Sequence, residues 1–392
     1  MEKRSVRSAA VHGRRVLVRV DFNVPLDEQG LVADDHRIAE ALPTLQHLQT
    51  SMARVILISH LGRPEGKRDM RFSLRPVARR LSELLGQPVP LANDCVGIAA
   101  INAVSGLKNG EFVMLENLRF HPGEEANDPA FAVQLSQLGE SFVQDAFGVL
   151  HRSHASIVGL PKRLPSCVGF LVEHEVRELS RLRDRVEHPY MALIGGAKVS
   201  DKLPLLASFL GRADTLIIGG ALAFPFLRAR GANLGASAKE EGLEGAVNEF
   251  LEAAPSAGTE VLLPEDLVVL TPDAAEPVVV PVDKVPTDAS VYDIGPVTRQ
   301  HFAEALGRSR TVFWNGPLGK AEDPRFAEGT RAVLAALGSV SGYHVSAGGD
   351  TVRIAQDLGV SGSFQFASTG GGAALEFVEG RELPGLAAIP DA

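Results

Sequence analysis

The stretch Met191-Ala-Leu-Ile-Gly-Gly-Ala-Lys198 sets the pattern for the chain. Its apolar part, Met191–Ile194, is short and does not alternate, which reads as a buried parallel strand. It stops on two glycines and a lysine, residues that let backbone approach an oxyanion and supply charge beside it. The pattern recurs on both sides of this stretch. Val16–Val20 runs into Asp21-Phe22-Asn23, and Val55–Ile58 into Ser59-His60-Leu61-Gly62-Arg63. Thr311–Trp314 runs into Asn315-Gly316-Pro317, and His344–Ala347 into Gly348-Gly349-Asp350-Thr351. In open α/β sheets ligands bind outside the carboxyl ends of strands, so these stops are where binding chemistry is expected.

Further strands are expected near Phe112–Leu115, Ser141–Val143, Thr215–Ile218, Glu260–Leu263 and Phe364–Phe366. Amphipathic segments such as Leu74–Leu85 and Lys202–Leu210 lie between them. Alternating strands and helices predict an α/β fold of two Rossmann-like domains, each a parallel sheet with helices on both faces. At 392 residues the chain is long for one core, so two domains are the expectation. The charged amphipathic segment Leu171–Val186, flanked by Pro165 and Pro189, reads as a hinge helix. The division is therefore 1–170, a hinge over 171–188, and 189–376.

Composition excludes several classes. Hydrophobic residues at 45% with 22% charged suit a soluble globular protein. No apolar run approaches the ~18–20 residues that cross a bilayer, so no membrane partner is expected. Met1–Ala10 lacks the apolar core of a secretory signal. Two cysteines, Cys95 and Cys167, are too few for a disulfide framework and suit a reducing cytoplasm. Over residues 1–170, 20 Lys and Arg stand against 18 Asp and Glu; over 171–392, 19 stand against 30. The net charge of −9 argues against nucleic acid as a main partner.

Two grips are visible. In the second half, Lys198 and Lys202 are expected one turn apart on one helix face, in the first turn, where the helix dipole disfavours cations. Breaking that local rule twice points to function. Gly370-Gly371-Gly372 reads as a phosphate nest opening a helix. Asp350, beside a second glycine pair, suits Mg²⁺, which takes carboxylate and phosphate oxygens; the plainer reading is a helix N-cap. In the first half, Arg37, His60, Arg63, Arg119 and Arg152 fall at or after strand ends, and guanidinium forks suit carboxylates and phosphates. No Walker lysine motif and no dinucleotide G-x-G-x-x-G turn occurs. One domain is thus expected to hold a small anion and the other a phosphate chain with a metal.

The ordered set V-R-V-D-F-N-V-P (18–25), S-H-L-G-R-P (59–64), L-E-N-L-R-F (115–120), D-A-F-G (145–148), H-R-S-H-A-S (151–156), G-G-A-K-V-S-D-K (195–202), D-I-G-P (293–296), W-N-G-P (314–317), G-G-D-T (348–351) and S-T-G-G-G-A (368–373) resembles phosphoglycerate kinase over nearly the whole chain. The resemblance implies reversible, Mg²⁺-dependent phosphoryl transfer between 1,3-bisphosphoglycerate and ADP, giving 3-phosphoglycerate and ATP. The transfer would be direct and in line, across a closing interdomain cleft, in a cytoplasmic monomer of glycolysis. Asp21, Phe22, Asn23, Arg37, His60, Leu61, Gly62, Arg63, Arg119 and Arg152 would bind the glycerate substrate. Gly196, Ala197, Lys202, Gly219, Asn315, Pro317, Glu322, Gly348, Gly349, Asp350 and Thr351 would bind the nucleotide, with Asp350 on the metal. Arg37, Lys198, Gly349, Gly371 and Gly372 would serve the transferring phosphoryl group. The tail, 377–392, would pack back on the first domain.

Three departures lie on the nucleotide side. Lys320-Ala321 stands where the family commonly has two apolar residues, Phe224-Pro225 where a threonine usually follows, and Ala347 where a third glycine is frequent. The alternative reading is a catalytically silent binding protein on the same fold. The retained Lys198, Lys202, Asp350 and arginines argue against it.

Overall fold

A computed structural model describes residues 3–392, with the side chains of 349, 350 and 361 outside the description. The chain divides into two compact units: Met1–Arg177 with Glu382–Ala392, and Glu178–Arg381. The division falls inside the helix Phe170–Asp184. The segment that returns to the first unit is Glu382–Ala392, while residues 377–381 belong to the second.

The first unit is built on strands β1 (Arg15–Val20), β2 (Arg54–Ile58), β3 (Phe112–Met114), β4 (Ser141–Asp145) and β5 (Ser166–Val168), all parallel, in the order β3-β2-β1-β4-β5. The order reverses beside β1, so Asp21 leaves the sheet at a topological switch point, the crevice where α/β sheets bind ligands. Valines 16, 18 and 20 share a core cluster with Leu45, Leu57 and Val77. The returning tail is fixed at both ends: Lys3 pairs with Asp391 at 2.8 Å, and Gly385 N–H donates to Leu150 O at 2.8 Å.

The second unit carries β6 (Tyr190–Ile194), β7 (Thr215–Ile218), β8 (Glu260–Leu262), β9 (Asp266–Leu270), β10 (Val278–Pro281), β11 (Ser290–Ile294), β12 (Thr311–Asn315), β13 (Tyr343–Ala347) and β14 (Phe366–Ser368). Six form a parallel sheet in the order β14-β13-β12-β6-β7-β8, reversing between β6 and β12. The switch point is thus flanked by the loops after Ile194 and Asn315. Trp314, fully buried, packs with Met191, Leu193, Ile217 and Leu318, and its indole N–H donates to Gly316 O at 2.7 Å.

Four strands lie outside the sequence expectation. β5 is three residues long, too short to stand out beside Pro165. β9, β10 and β11 form an antiparallel sheet in the order β10-β9-β11. β9 and β10 do carry short apolar runs, Leu267–Leu270 and Val278–Val280, but no helix-like segment separates them, so a reading built on alternating strands and helices passes over them. β14 sits two residues later than Phe364–Phe366. The helix expected over Lys202–Leu210 is Leu203–Ser208, with Lys202 as its N-cap residue. Lys198 and Lys202 therefore do not share a helix face; Lys198 lies in the loop after β6.

Candidate active site

The first-unit site grows from the end of β1. Asp21 is buried, and its Oδ2 accepts from Arg37 Nη1. Its Oδ1 is buried without a hydrogen-bond partner among the described residues, 3.8 Å from His60 Nδ1. A buried, unsatisfied carboxylate oxygen is costly unless a ligand donor reaches it, and a hydroxyl fits. The Asn23 side-chain oxygen accepts Gly62 N–H at 2.8 Å, and Arg119 Nη1 donates to Gly62 O at 2.8 Å. Leu61 and Phe22 are buried beneath this turn, and Ser59 Oγ accepts Phe22 N–H at 3.0 Å. Arg63 and Arg152 are exposed. Arg152 stands close enough to Arg119 and His154 to lower the pKa of both.

Under this layer lies a buried charge. Arg19, 1% exposed and the next-to-last residue of β1, donates from Nε to Ser156 Oγ at 3.0 Å, bonds through Nη1 to Val20 O, and lies 3.1 Å through Nη2 from His60 Nδ1. Its countercharge is Glu124, fully buried, which accepts Ser156 N–H at 2.9 Å and Ser156 O–H at 2.5 Å. Burial pushes the Glu124 carboxyl up, and Arg19 pulls it back.

Burial, and after it this concentration of arginine, keep both histidines neutral. Burial, then Arg19, Arg119 and Arg37, hold His60 well below the ordinary imidazole value. Burial, then Arg119, Arg19 and Arg152, lower His154 to about 4. The positive field therefore belongs to the arginines, and the histidines act as uncharged hydrogen-bonding groups. A depressed histidine contributes stability above its unfolded pKa and loses it as pH falls through the folded one. His154→Gln should therefore gain stability over the wild type between about pH 6.5 and 4, by up to about 3 kcal/mol. Urea unfolding at pH 7.5 and 4.5 checks this; a difference that stays constant contradicts it.

The second-unit site is made of backbone packed on backbone. A Cβ on Gly195 would collide with the Pro317 carbonyl, and one on Gly219 with Leu318. Gly196 (φ +122°) and Gly316 (φ +88°) hold left-handed conformations that glycine adopts readily. Lys202 Nζ binds these loops together, donating to Gly195 O at 2.5 Å and Asn315 Oδ1 at 2.6 Å. Asn315 Nδ2 donates to Ala347 O, and Thr351 Oγ1 accepts Gly316 N–H at 2.8 Å. Asn315 and Thr351 are both buried; Asn315 ties the end of β12 to the end of β13, and Thr351, in the following helix, ties it to Gly316.

Beside these loops is a pocket of about 210 Å³, lined among others by Gly196, Ala197, Phe224, Tyr292, Pro317 and Glu322. Lys320 also lines it, with Nζ 5.7 Å from the Tyr292 ring centre, and that ring stacks on Phe326. Asp293, at the pocket floor, accepts Gly329 N–H at 2.7 Å, and burial raises its carboxyl to about 6. Gly348 (φ +109°) precedes the helix Gly349–Asp357, and Gly371 (φ +51°) precedes the helix opened by Gly372. The side chains of Gly349 and Asp350, the metal candidate, lie outside the described residues.

Two clusters therefore emerge, one in each unit: an arginine-rich anion site and a glycine-lined pocket. The reading of strand ends missed the support beneath them. Arg19, Glu124, Ser156 and His154 carry the buried network, and Arg19 had a visible signal, a charge inside the apolar run V-L-V-R-V.

Comparison with known proteins locates these clusters in a family. The phosphoglycerate kinase family model matches residues 6–381. The phosphoglycerate kinase of Pelotomaculum thermopropionicum is 49% identical over 393 residues, covering 100% of each chain. That of Coprothermobacter proteolyticus is 48% identical, covering 99% of each. The solved structure of phosphoglycerate kinase from Coxiella burnetii superposes with a TM-score of 0.88 at 37% identity, covering 98% of each chain. That from Pyrococcus horikoshii gives 0.82 at 32%, covering 99% of this chain and 98% of that one.

Proposed function

This chain belongs to the phosphoglycerate kinase family, and on that footing we propose how its residues divide the work. The reaction is phosphoryl exchange between 1,3-bisphosphoglycerate and ADP, giving 3-phosphoglycerate and ATP. The first unit takes the glycerate. The orphaned Asp21 Oδ1 is the observation that carries this assignment: it accepts the substrate hydroxyl, with Asn23 beside it. Arg63, Arg119 and Arg152 take the charged ends, supported by neutral His60. Arg37, held by Asp21, faces the acyl phosphate.

The second unit takes the nucleotide. Gly196, Ala197, Gly219 and Pro317 form the wall against which its phosphates lie, and Glu322 at the pocket mouth takes the ribose. Lys198, exposed after β6, follows the migrating group, and Gly371 and Gly372 offer backbone N–H. Phosphoryl transfer needs positioning and charge neutralisation rather than an enzyme nucleophile. A hard divalent ion on a nucleotide takes most of its ligands from phosphate and water and one or two from carboxylates. Asp350 at the start of the helix Gly349–Asp357 suits that share. Mg²⁺ held there would neutralise phosphate charge. The buried free thiols Cys95 and Cys167 suit a reducing compartment, and we take the enzyme to be a cytoplasmic monomer. Among the described residues no helix is long and apolar enough to cross a membrane.

Calorimetric titration tests the division. Arg63→Ala should weaken 3-phosphoglycerate binding about 10- to 100-fold, the worth of a charge-assisted hydrogen bond, and leave ADP binding unchanged. Asp350→Asn should remove the Mg²⁺ dependence of ADP affinity and leave 3-phosphoglycerate alone. Equal losses for both ligands in either variant would overturn the assignment.

A further inference from the structure

We propose that Glu240 is a positioning residue that fixes the loop carrying Lys198. The inference rests on the reading of Lys198 as the lysine that follows the phosphoryl group. The loop is fixed at its two ends, by Gly195 against the Pro317 carbonyl and by Lys202 on Asn315 Oδ1, while the stretch between them, 197–200, is exposed except at Val199. It leaves β6 through two glycines, Gly195 and Gly196, which offer no side chains to pack, and reaches its helix only at Leu203. Lys198 itself is exposed. A long flexible cation loses rotamer entropy when held in one place, and a mobile backbone beneath it adds to that cost.

Beyond the turn's own backbone bonds to Val199 O, two contacts restrain the residues just after Lys198. The Val199 side chain is fully buried. The Glu240 carboxylate closes over the chain from outside: Oε2 accepts Val199 N–H at 2.9 Å, and Oε1 accepts Ser200 N–H at 3.2 Å. One carboxylate thus grips two consecutive amides, and hydrogen bonds to an ionised acceptor are among the stronger ones. The Ser200 hydroxyl and both amides hold the Glu240 carboxyl below its usual range, and the nearby Lys198 charge adds to this. Glu240 is therefore ionised at neutral pH and ready to hold the loop.

The grip has a firm base. Arg228, in the helix Phe224–Ala229, donates to Ser237 O at 3.0 Å and Ala238 O at 2.9 Å. Ser237 Oγ accepts Val291 N–H from β11 at 2.9 Å. The segment before Glu240 is thus tied to a helix and a strand of the same unit. In the sequence, Lys239-Glu240-Glu241 looks like an ordinary solvated charge run, and only the fold shows what its middle residue holds.

The test compares Glu240→Ala, Glu240→Asp, Glu240→Gln and Lys198→Ala in the full chain, by steady-state kinetics with ATP and 3-phosphoglycerate and by amide hydrogen exchange. Misplacing a catalytic group by about 1 Å costs up to about 10²-fold. Glu240→Ala should therefore lower kcat about 10- to 100-fold, with KM for 3-phosphoglycerate within about twofold of wild type. The Val199 and Ser200 amides should exchange faster. Aspartate should restore part of the rate, and glutamine, which keeps one acceptor, should fall between. Wild-type kcat in folded Glu240→Ala, with Lys198→Ala impaired, would overturn the role of Glu240 alone. If the alanine variant does not fold, wild-type kcat in Glu240→Gln would do the same. Wild-type kcat in Lys198→Ala would overturn the reading of Lys198 and this inference with it.

Discussion

Lys198→Ala lowers turnover by about 10²–10³-fold, the loss seen when one preorganised donor to a developing oxyanion is removed. Binding of 3-phosphoglycerate stays within about twofold of wild type, because interactions realised only in the transition state raise kcat rather than affinity. The physical ground is the loop that carries it. Gly195 cannot take a Cβ without striking the Pro317 carbonyl, and Lys202 bolts the loop to Asn315. Lys198 therefore projects from a fixed base as an exposed cation beside the pocket wall at Ala197. Single-turnover kinetics separates the chemical step from product release. An unchanged single-turnover rate would remove Lys198 from the chemistry.

Arg19→Met destabilises the first unit by about 3–5 kcal/mol, the cost of leaving the buried Glu124 charge, which Arg19 reaches through Ser156, uncompensated. The lost contacts are those to Ser156 Oγ, Val20 O and His60 Nδ1. The group left behind is Glu124, fully buried, whose carboxyl burial already pushes up. Adding Glu124→Gln recovers part of the loss, because the stranded charge is then gone. His60 titrates at a higher pH in Arg19→Met, since one of the charges depressing it is absent. Urea midpoints give the first result and imidazole NMR shifts the second. A loss under about 1 kcal/mol would show that surface arginines, not this buried pair, organise the site.

Much of the parallel framework was legible because buried strands are short apolar runs ended by glycine or a charge. Thr215–Ile218 coincides with its strand, and Val16–Val20 differs by one residue. The antiparallel sheet was not legible: Leu267–Leu270 and Val278–Val280 are apolar runs with no helix between them, and Ser290–Ile294 mixes polar with apolar residues. At the site, strand-end residues were findable because chemistry there leaves a local pattern. Partnerships across sequence were not. That Asn315 and Thr351 tie neighbouring segments together, that Lys202 reaches across to Asn315, and that Glu240 holds the loop at Val199 all depend on contacts between distant segments. The arginines were visible singly, but their effect on His60 and His154 requires their convergence in space.

The central claim is that this chain moves a phosphoryl group between ATP and 3-phosphoglycerate. The most direct measurement is Mg²⁺- and ATP-dependent phosphorylation of 3-phosphoglycerate, coupled to NADH oxidation, with GTP in parallel because Lys320 lines the pocket beside Tyr292. Robust turnover with ATP that requires the metal is the expected result. Folded protein that binds 3-phosphoglycerate yet turns over neither nucleotide would contradict it and leave a silent binding protein on the same fold.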